Sequence, residues 1–238
     1  MGKCLFLRKG ETHTAPISVI LASDLAVGSS VYLMENGTAA EYLVVHQGLP
    51  SSLYDASCDG TWLLRKDIYT KGVWGYEKHY ANSSVHSFLN SQFLALFDAD
   101  IQNVIKQVKI PYVTDPSNGY VSGSDGVSTK IFLLDCKEAG TSLGASSGVL
   151  NIGSILSYFI SVNTTDANNK RIAFLNNTAT NWWTRTSATG NYAYTFIINT
   201  SGAFQKVRNN LTQGIRPALI LPSNALFDKN TLILKGVA

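Results

Sequence analysis

Two runs of β-forming residues, Val31-Tyr32-Leu33-Met34 and Tyr42-Leu43-Val44-Val45-His46, flank Glu35-Asn36-Gly37-Thr38, and this arrangement constrains the fold more than any other stretch. Asn-Gly supplies the positive-φ positions of the tight turns whose twist matches antiparallel strands, so the spacing predicts a hairpin over 30–46. Thr61-Trp62-Leu63-Leu64-Arg65, entered from Asp59-Gly60, reads as a further strand. So do Lys130 to Leu134, after a Gly-, Ser- and Asp-rich loop over 113–130, and Tyr194 to Ile198.

Helical spacing is confined to the middle of the chain. Val85, Phe88, Leu89, Phe93, Leu96 and Phe97 recur on one face of a helix that starts after Asn82 or Ser83, either of which can accept from the free amides of a first turn. Ile101, Val104, Ile105 and Val108 predict a second helix, which Pro111 stops. Ile152 to Phe159 has room for one or two helical turns.

The 238 residues are 45% hydrophobic and 15% charged, which suits one large folded domain. The longest uncharged runs hold too many Ser, Asn and Gly for a membrane span, so no membrane insertion is expected. Cys4, Cys58 and Cys136 are odd in number and widely spaced, and suggest neither a disulfide framework nor a zinc site. The opening Met-Gly-Lys-Cys-Leu-Phe does not read as a secretory signal, and the expectation is synthesis in a bacterial cytoplasm. Residues 1–24, with two short apolar extended pieces, read as an N-terminal arm for docking or oligomerisation, and residues 25–238 as the domain.

Catalytic patterns are weak. Gly140-Thr141-Ser142-Leu143-Gly144 has the form of a nucleophile elbow, yet His13, His46, His79 and His86 all precede Ser142, whereas in that fold the base histidine follows the nucleophile. His79 and His86 lack a metal-ligand spacing, and no phosphate-binding glycine loop occurs. Asp55, Asp59, Asp98 and Asp100 could serve a glycan hydrolase but fall in no motif. No catalytic residue, metal or cofactor is expected.

The C-terminal third is distinctive. From Ala167 to Phe227 stand six basic residues, Lys170, Arg171, Arg185, Lys206, Arg208 and Arg216, and no Asp or Glu. Such asymmetry steers anionic ligands, although a solvated face with two or three structural arginines has the same composition. A net charge of +3 is too small to imply nucleic acid. Tyr, Ser, Asn, Gly and Thr with a few Trp and Arg also make up adaptable binding loops. Trp182, Trp183, Tyr192, Tyr194, Phe196 and Phe204 exceed what one small core sheet would need.

Trp182-Trp183-Thr184-Arg185-Thr186 and Gly214-Ile215-Arg216-Pro217-Ala218-Leu219-Ile220-Leu221 resemble the Trp-Trp-x-Arg-Ser and Gly-Val-Arg-Pro-Ala-Leu signatures of C-type-lectin-like domains in gut bacterial and prophage proteins. Phe88-Leu89-Asn90 and Ile131-Phe132-Leu133-Leu134 sit where that family has its Leu-Asn helix and Phe-Leu-Leu strand, and Thr184 and Thr186 depart from the commoner Leu and Ser. The resemblance implies an α+β, C-type-lectin-like fold with two helices packed on a small, mainly antiparallel sheet and long polar loops. It implies that Trp182, Arg185 and Arg216 are scaffold. By analogy with the variable proteins of diversity-generating retroelements and phage tail adhesins, the ligand surface runs from Thr184 to Arg208. The expected contacts are Thr184, Thr186, Ser187, Asn191, Tyr192, Tyr194, Asn199, Phe204, Lys206 and Arg208. The calcium-lectin signatures and the paired late cysteines of the formylglycine-generating enzyme do not occur, so binding is expected to be metal-free.

These readings lead to a phage or prophage tail protein, located in the virion, that recognises a bacterial cell-surface polysaccharide or protein. Its expected partners are other tail proteins, met through the arm, and further copies of itself. A purely architectural protein of a virion or cell surface, without an external ligand, is the second reading.

Overall fold

The structure, a computed structural model, describes residues 18–77, 79–115, 119–150, 152–191 and 193–238. The hairpin forms at the expected place. Ser30–Glu35 and Thr38–Gln47 pair antiparallel from Ser30 opposite Leu43 to Glu35 opposite Thr38, with Asn36 at φ 46° and Gly37 at φ 75° in the turn. Val31, Leu33 and Glu35 alternate inward on the outer strand, while Tyr42 to Val45 on its partner are buried in succession because both faces of that strand are covered. Thr61–Arg65 and Ala218–Leu221 continue the sheet, and Ile131–Phe132 closes its far edge, giving five antiparallel strands.

A second five-stranded sheet runs in the order Phe204–Arg208, Tyr194–Ile198, Trp182–Ser187, Thr212–Ile215 and Thr70–Val73. Only the contact of Trp182 with Gly214 is parallel. Trp62, Trp74, Trp182 and Trp183 are all buried, and each indole N–H donates to a backbone carbonyl, those of Cys58, Thr184, Arg171 and Gly72 respectively. The aromatic surplus of the C-terminal third is therefore mostly core: Trp182, Trp183 and Phe196 are at most 2% exposed.

Ser83 caps α1 (Ser84–Phe88) by accepting from the His86 amide at 3.2 Å. The chain then widens into a π turn over Leu89–Phe93 and tightens into a 3-10 turn over Leu94–Leu96 before α2 (Ala99–Val104). α3 (Thr164–Arg171) has no apolar stripe in its sequence and was not foreseen. Its start is nonetheless written in Asn163, whose side chain accepts from the Asp166 amide at 2.9 Å.

The expected α+β lectin-like arrangement, two helices on one small sheet with long polar loops, is overturned. The structure is mostly β, with two five-stranded sheets and helices of 5, 6 and 8 residues. Two physical causes account for the difference. The amphipathic run after Ser83 changes hydrogen-bond period at Leu89 and Leu94, so it never extends as one helix. The polar stretch expected to hold strands within long loops is more strand than loop, because β-branched Thr suits a pleated sheet once its hydroxyl is satisfied. Thr184 Oγ1 donates to the Phe196 carbonyl and Thr195 Oγ1 to the Thr186 carbonyl, at 2.8 and 2.7 Å. The 113–130 stretch likewise contains short strands, Gly119–Val121 and Val127–Thr129, where only loop was expected.

Of the N-terminal arm, residues 1–17 lie outside the described residues. Val19–Leu21 pair antiparallel with Leu226 to Asp228 of the same chain, as the edge of a three-stranded sheet. Among the described residues no helix is long and apolar enough to cross a membrane.

Candidate functional site

The second sheet is braced from below by a buried ion network. Arg185 meets Glu138 in a bidentate pair, Nη1 to Oε2 and Nη2 to Oε1 both 2.5 Å, with both side chains fully buried. Further bonds surround the pair: Arg185 also donates to the carbonyls of Pro111 and Leu133, and Glu138 accepts from the Tyr54 hydroxyl and the Asp135 amide. Asp135, buried beside them, accepts from Thr186 Oγ1 and the Lys137 amide. Burial raises its carboxyl to about 6 against an opposing pull from Arg185. Burial also pushes the Cys58 and Cys136 thiols up to about 12, which leaves both unreactive.

Thr184, Thr186 and Ser187 belong to this scaffold. Each is at most 3% exposed, so the expectation that they contact a ligand is corrected: their side chains face the protein interior. Asn199 serves its own turn, its Oδ1 accepting from the amides of Ser201 and Ala203, and Asn191 does the same for Ala193. Tyr192 lies outside the described residues.

Four of the expected residues do come together. Phe204–Arg208 is the edge strand, and the period of two puts Phe204, Lys206 and Arg208 on one face. Tyr194 stands directly opposite Arg208 on the neighbouring strand. Lys206 Nζ and Arg208 Cζ lie 5.4 and 5.7 Å from the centroid of the Tyr194 ring, within cation–π range. Both cations are exposed, and among the described residues neither forms an ion pair.

The other basic residues of the acid-free stretch have different duties. Arg185 is neutralised by Glu138, and Arg216 anchors a buried turn by donating to the Arg65 and Lys66 carbonyls while stacking 5.0 Å from Trp182. Arg171, 5% exposed, is held by the carbonyls of Gly202, Ala139 and Gly140 and by Asn168 Oδ1, with its guanidinium 4.7 Å from the centre of Phe204. Gly202 makes this approach practicable: at φ 78°, a Cβ there would stand 2.0 Å from the Asn168 carbonyl oxygen.

Arg171 and Phe204 line a cleft of about 430 Å³ that also takes in Ser142, Ser161, Thr164 and Phe159. Among the described residues its lining holds hydroxyls, apolar surface and one cation, and no His, Cys, Asp or Glu. Ser142, the centre of the elbow-like motif, is therefore a cleft residue, while His46 Nδ1 bonds Ser157 Oγ at 2.8 Å instead. Sequence reasoning missed α3 as part of the site; the Asn163-x-x-Asp166 cap followed by Lys170-Arg171 in the last turn was the available signal. Among the described residues no three His, Cys, Asp or Glu side chains gather as a metal site.

A family model described as a domain of unknown function, DUF6273, matches residues 59–223. No curated protein and no solved structure matches the chain.

Proposed function

Because this chain belongs to the DUF6273 family, which assigns no activity, we propose its role from the site itself: a metal-free, non-catalytic binding domain that attaches to an anionic ligand on a bacterial surface. The carrying observation is the Tyr194 ring with Lys206 and Arg208 beside it. Two exposed cations without carboxylate partners, fixed by a five-pair strand register, form a preorganised positive edge. The acid-free sequence from Ala167 to Phe227 keeps negative side chains out of that strand and its neighbours. An aromatic face between charges adds contact area at little entropic cost.

The setting we propose is the tail of a phage or prophage virion, with copies of the chain and other tail proteins assembled through the N-terminal arm. Attachment of the purified protein to bacterial cells with and without acidic surface polymers tests the binding role. Retention only on the acidic cells supports it, and equal retention on both contradicts it. Attachment to neither favours the architectural alternative.

A further inference from the structure

We infer that the cleft beside α3 is a subsite for one acidic sugar of that polymer, a uronate; the inference rests on the anionic-ligand reading and names the chemistry of its ligand. The volume of about 430 Å³ falls within the ~300–1,000 Å³ of small-molecule sites. Three kinds of group converge there. Ser142 and Thr164 offer hydroxyls for ring hydroxyls; Phe204 and Ile160 offer apolar surface for C–H faces; Arg171 offers the charge.

Arg171 decides the class. It is a buried cation whose bonding partners are all neutral, and burial lowers its pKa, so a carboxylate in the cleft would supply the counter-charge that the fold omits. Its Nε, Nη1 and one Nη2 hydrogen are already engaged with Gly202, Ala139, Gly140 and Asn168, which leaves one N–H for a ligand. A carboxylate carries the single negative charge that Arg171 can balance, whereas a phosphate carries up to two charges and three acceptor oxygens, for which the lining, among the described residues, offers no second cation. The start of α3 does not add them, because Asp166 occupies its first turn and pairs with Lys170 at 3.1 Å.

The cleft also lies in line with the charged edge. Phe204 lines it, and Lys206 and Arg208 follow on the same strand face at steps of about 6–7 Å. A polymer with one uronate beside Arg171 would thus continue past Lys206 towards Tyr194 and Arg208.

Titration calorimetry of the full chain tests this with a uronate-containing disaccharide, its neutral hexose analogue and glycerol phosphate. The uronate disaccharide should bind at least about tenfold more tightly than either control, the equivalent of one charge-assisted hydrogen bond. Ala167→Leu and Ser142→Leu each add bulk to the cleft lining from a different segment of the chain; each folded variant should lose at least about tenfold. Equal binding of the neutral sugar, tighter binding of glycerol phosphate, or full affinity in a folded cleft-filled variant overturns the subsite. Loss of affinity in the cleft-filled variants reads the cleft, whereas loss of polymer binding in Lys206→Ala/Arg208→Ala reads the charged edge, so the two proposals fail separately.

Discussion

Arg185 and Glu138 face each other in a fully buried, two-bond ion pair at 2.5 Å, with Asp135 close enough to add a second negative charge to the same pocket of the interior. Removing one partner of such a pair costs about 3–5 kcal/mol because the other is left uncompensated. The two removals are not equivalent here. After Glu138→Gln, Asp135 still opposes Arg185; after Arg185→Met, two buried carboxylates have no cation. Urea unfolding should therefore show a greater loss for Arg185→Met, with the double variant Glu138→Leu/Arg185→Met recovering part of it. The reverse order would contradict this account of the network.

Asp135 gives the fold a pH dependence of unusual sign. Its carboxyl titrates at about 6 in the fold against 3.8 ordinarily. Between those values the folded chain holds a proton that the unfolded chain has released, so this group makes stability fall as pH rises from about 4 to about 6. Asp55, Asp166, Asp228 and Glu41 are held below their ordinary values and act in the opposite sense at lower pH. Asp135→Asn keeps an oxygen for the Lys137 amide and removes the titration. His46 and His86, held below their ordinary values by burial, act against Asp135 in part of this range, so the comparison is with the wild type. Unfolding free energy should fall less, or rise more, from about pH 4 to about pH 6 in Asp135→Asn, and an identical pH profile would count against the assignment.

Phe93 is the better test of the helical core than Phe88. Phe93 is fully buried, with Tyr69 and Phe97 rings at 4.8 and 5.7 Å, whereas Phe88 is only partly buried against the core. Phe93→Ala should cost about 3–5 kcal/mol by chemical denaturation, and Phe88→Ala clearly less. Equal midpoints for the two variants would contradict the packing.

Those residues also show how far the sequence was legible. The Asn36-Gly37 hairpin, the Thr61–Arg65 strand and the Ser83 cap were readable because each depends on local chemistry: positive φ, β propensity and a free amide. The period of Val85 and Leu89 correctly marked buried positions, but not the π turn that follows, which is set by tertiary bonds. Asn90 there accepts from the Lys130 and Ile131 amides and donates to the Ile131 carbonyl, forty residues away.

In the site, Lys206 and Arg208 were legible as charges, and Tyr194 as an aromatic beside them. Which arginines were already spent could not be read, since Glu138 reaches Arg185 across 47 residues and the turn at Gly202 reaches Arg171 across 31. Thr184 and Thr186 read as adaptable loop residues because nothing local reveals that Phe196 and Asp135 bury their hydroxyls.

The most direct test of the central claim is the affinity of the purified chain for immobilised acidic bacterial surface polymers, a polyuronate and a teichoic acid, measured from about 0.01 to 1 M salt. With folding of each variant confirmed by thermal melting, Lys206→Ala/Arg208→Ala should weaken binding most at low salt and flatten its salt dependence. Tyr194→Ala should weaken it at every salt concentration, because contact area is not screened. Wild-type affinity in both variants on both polymers, or no binding by the wild-type chain, would contradict the account.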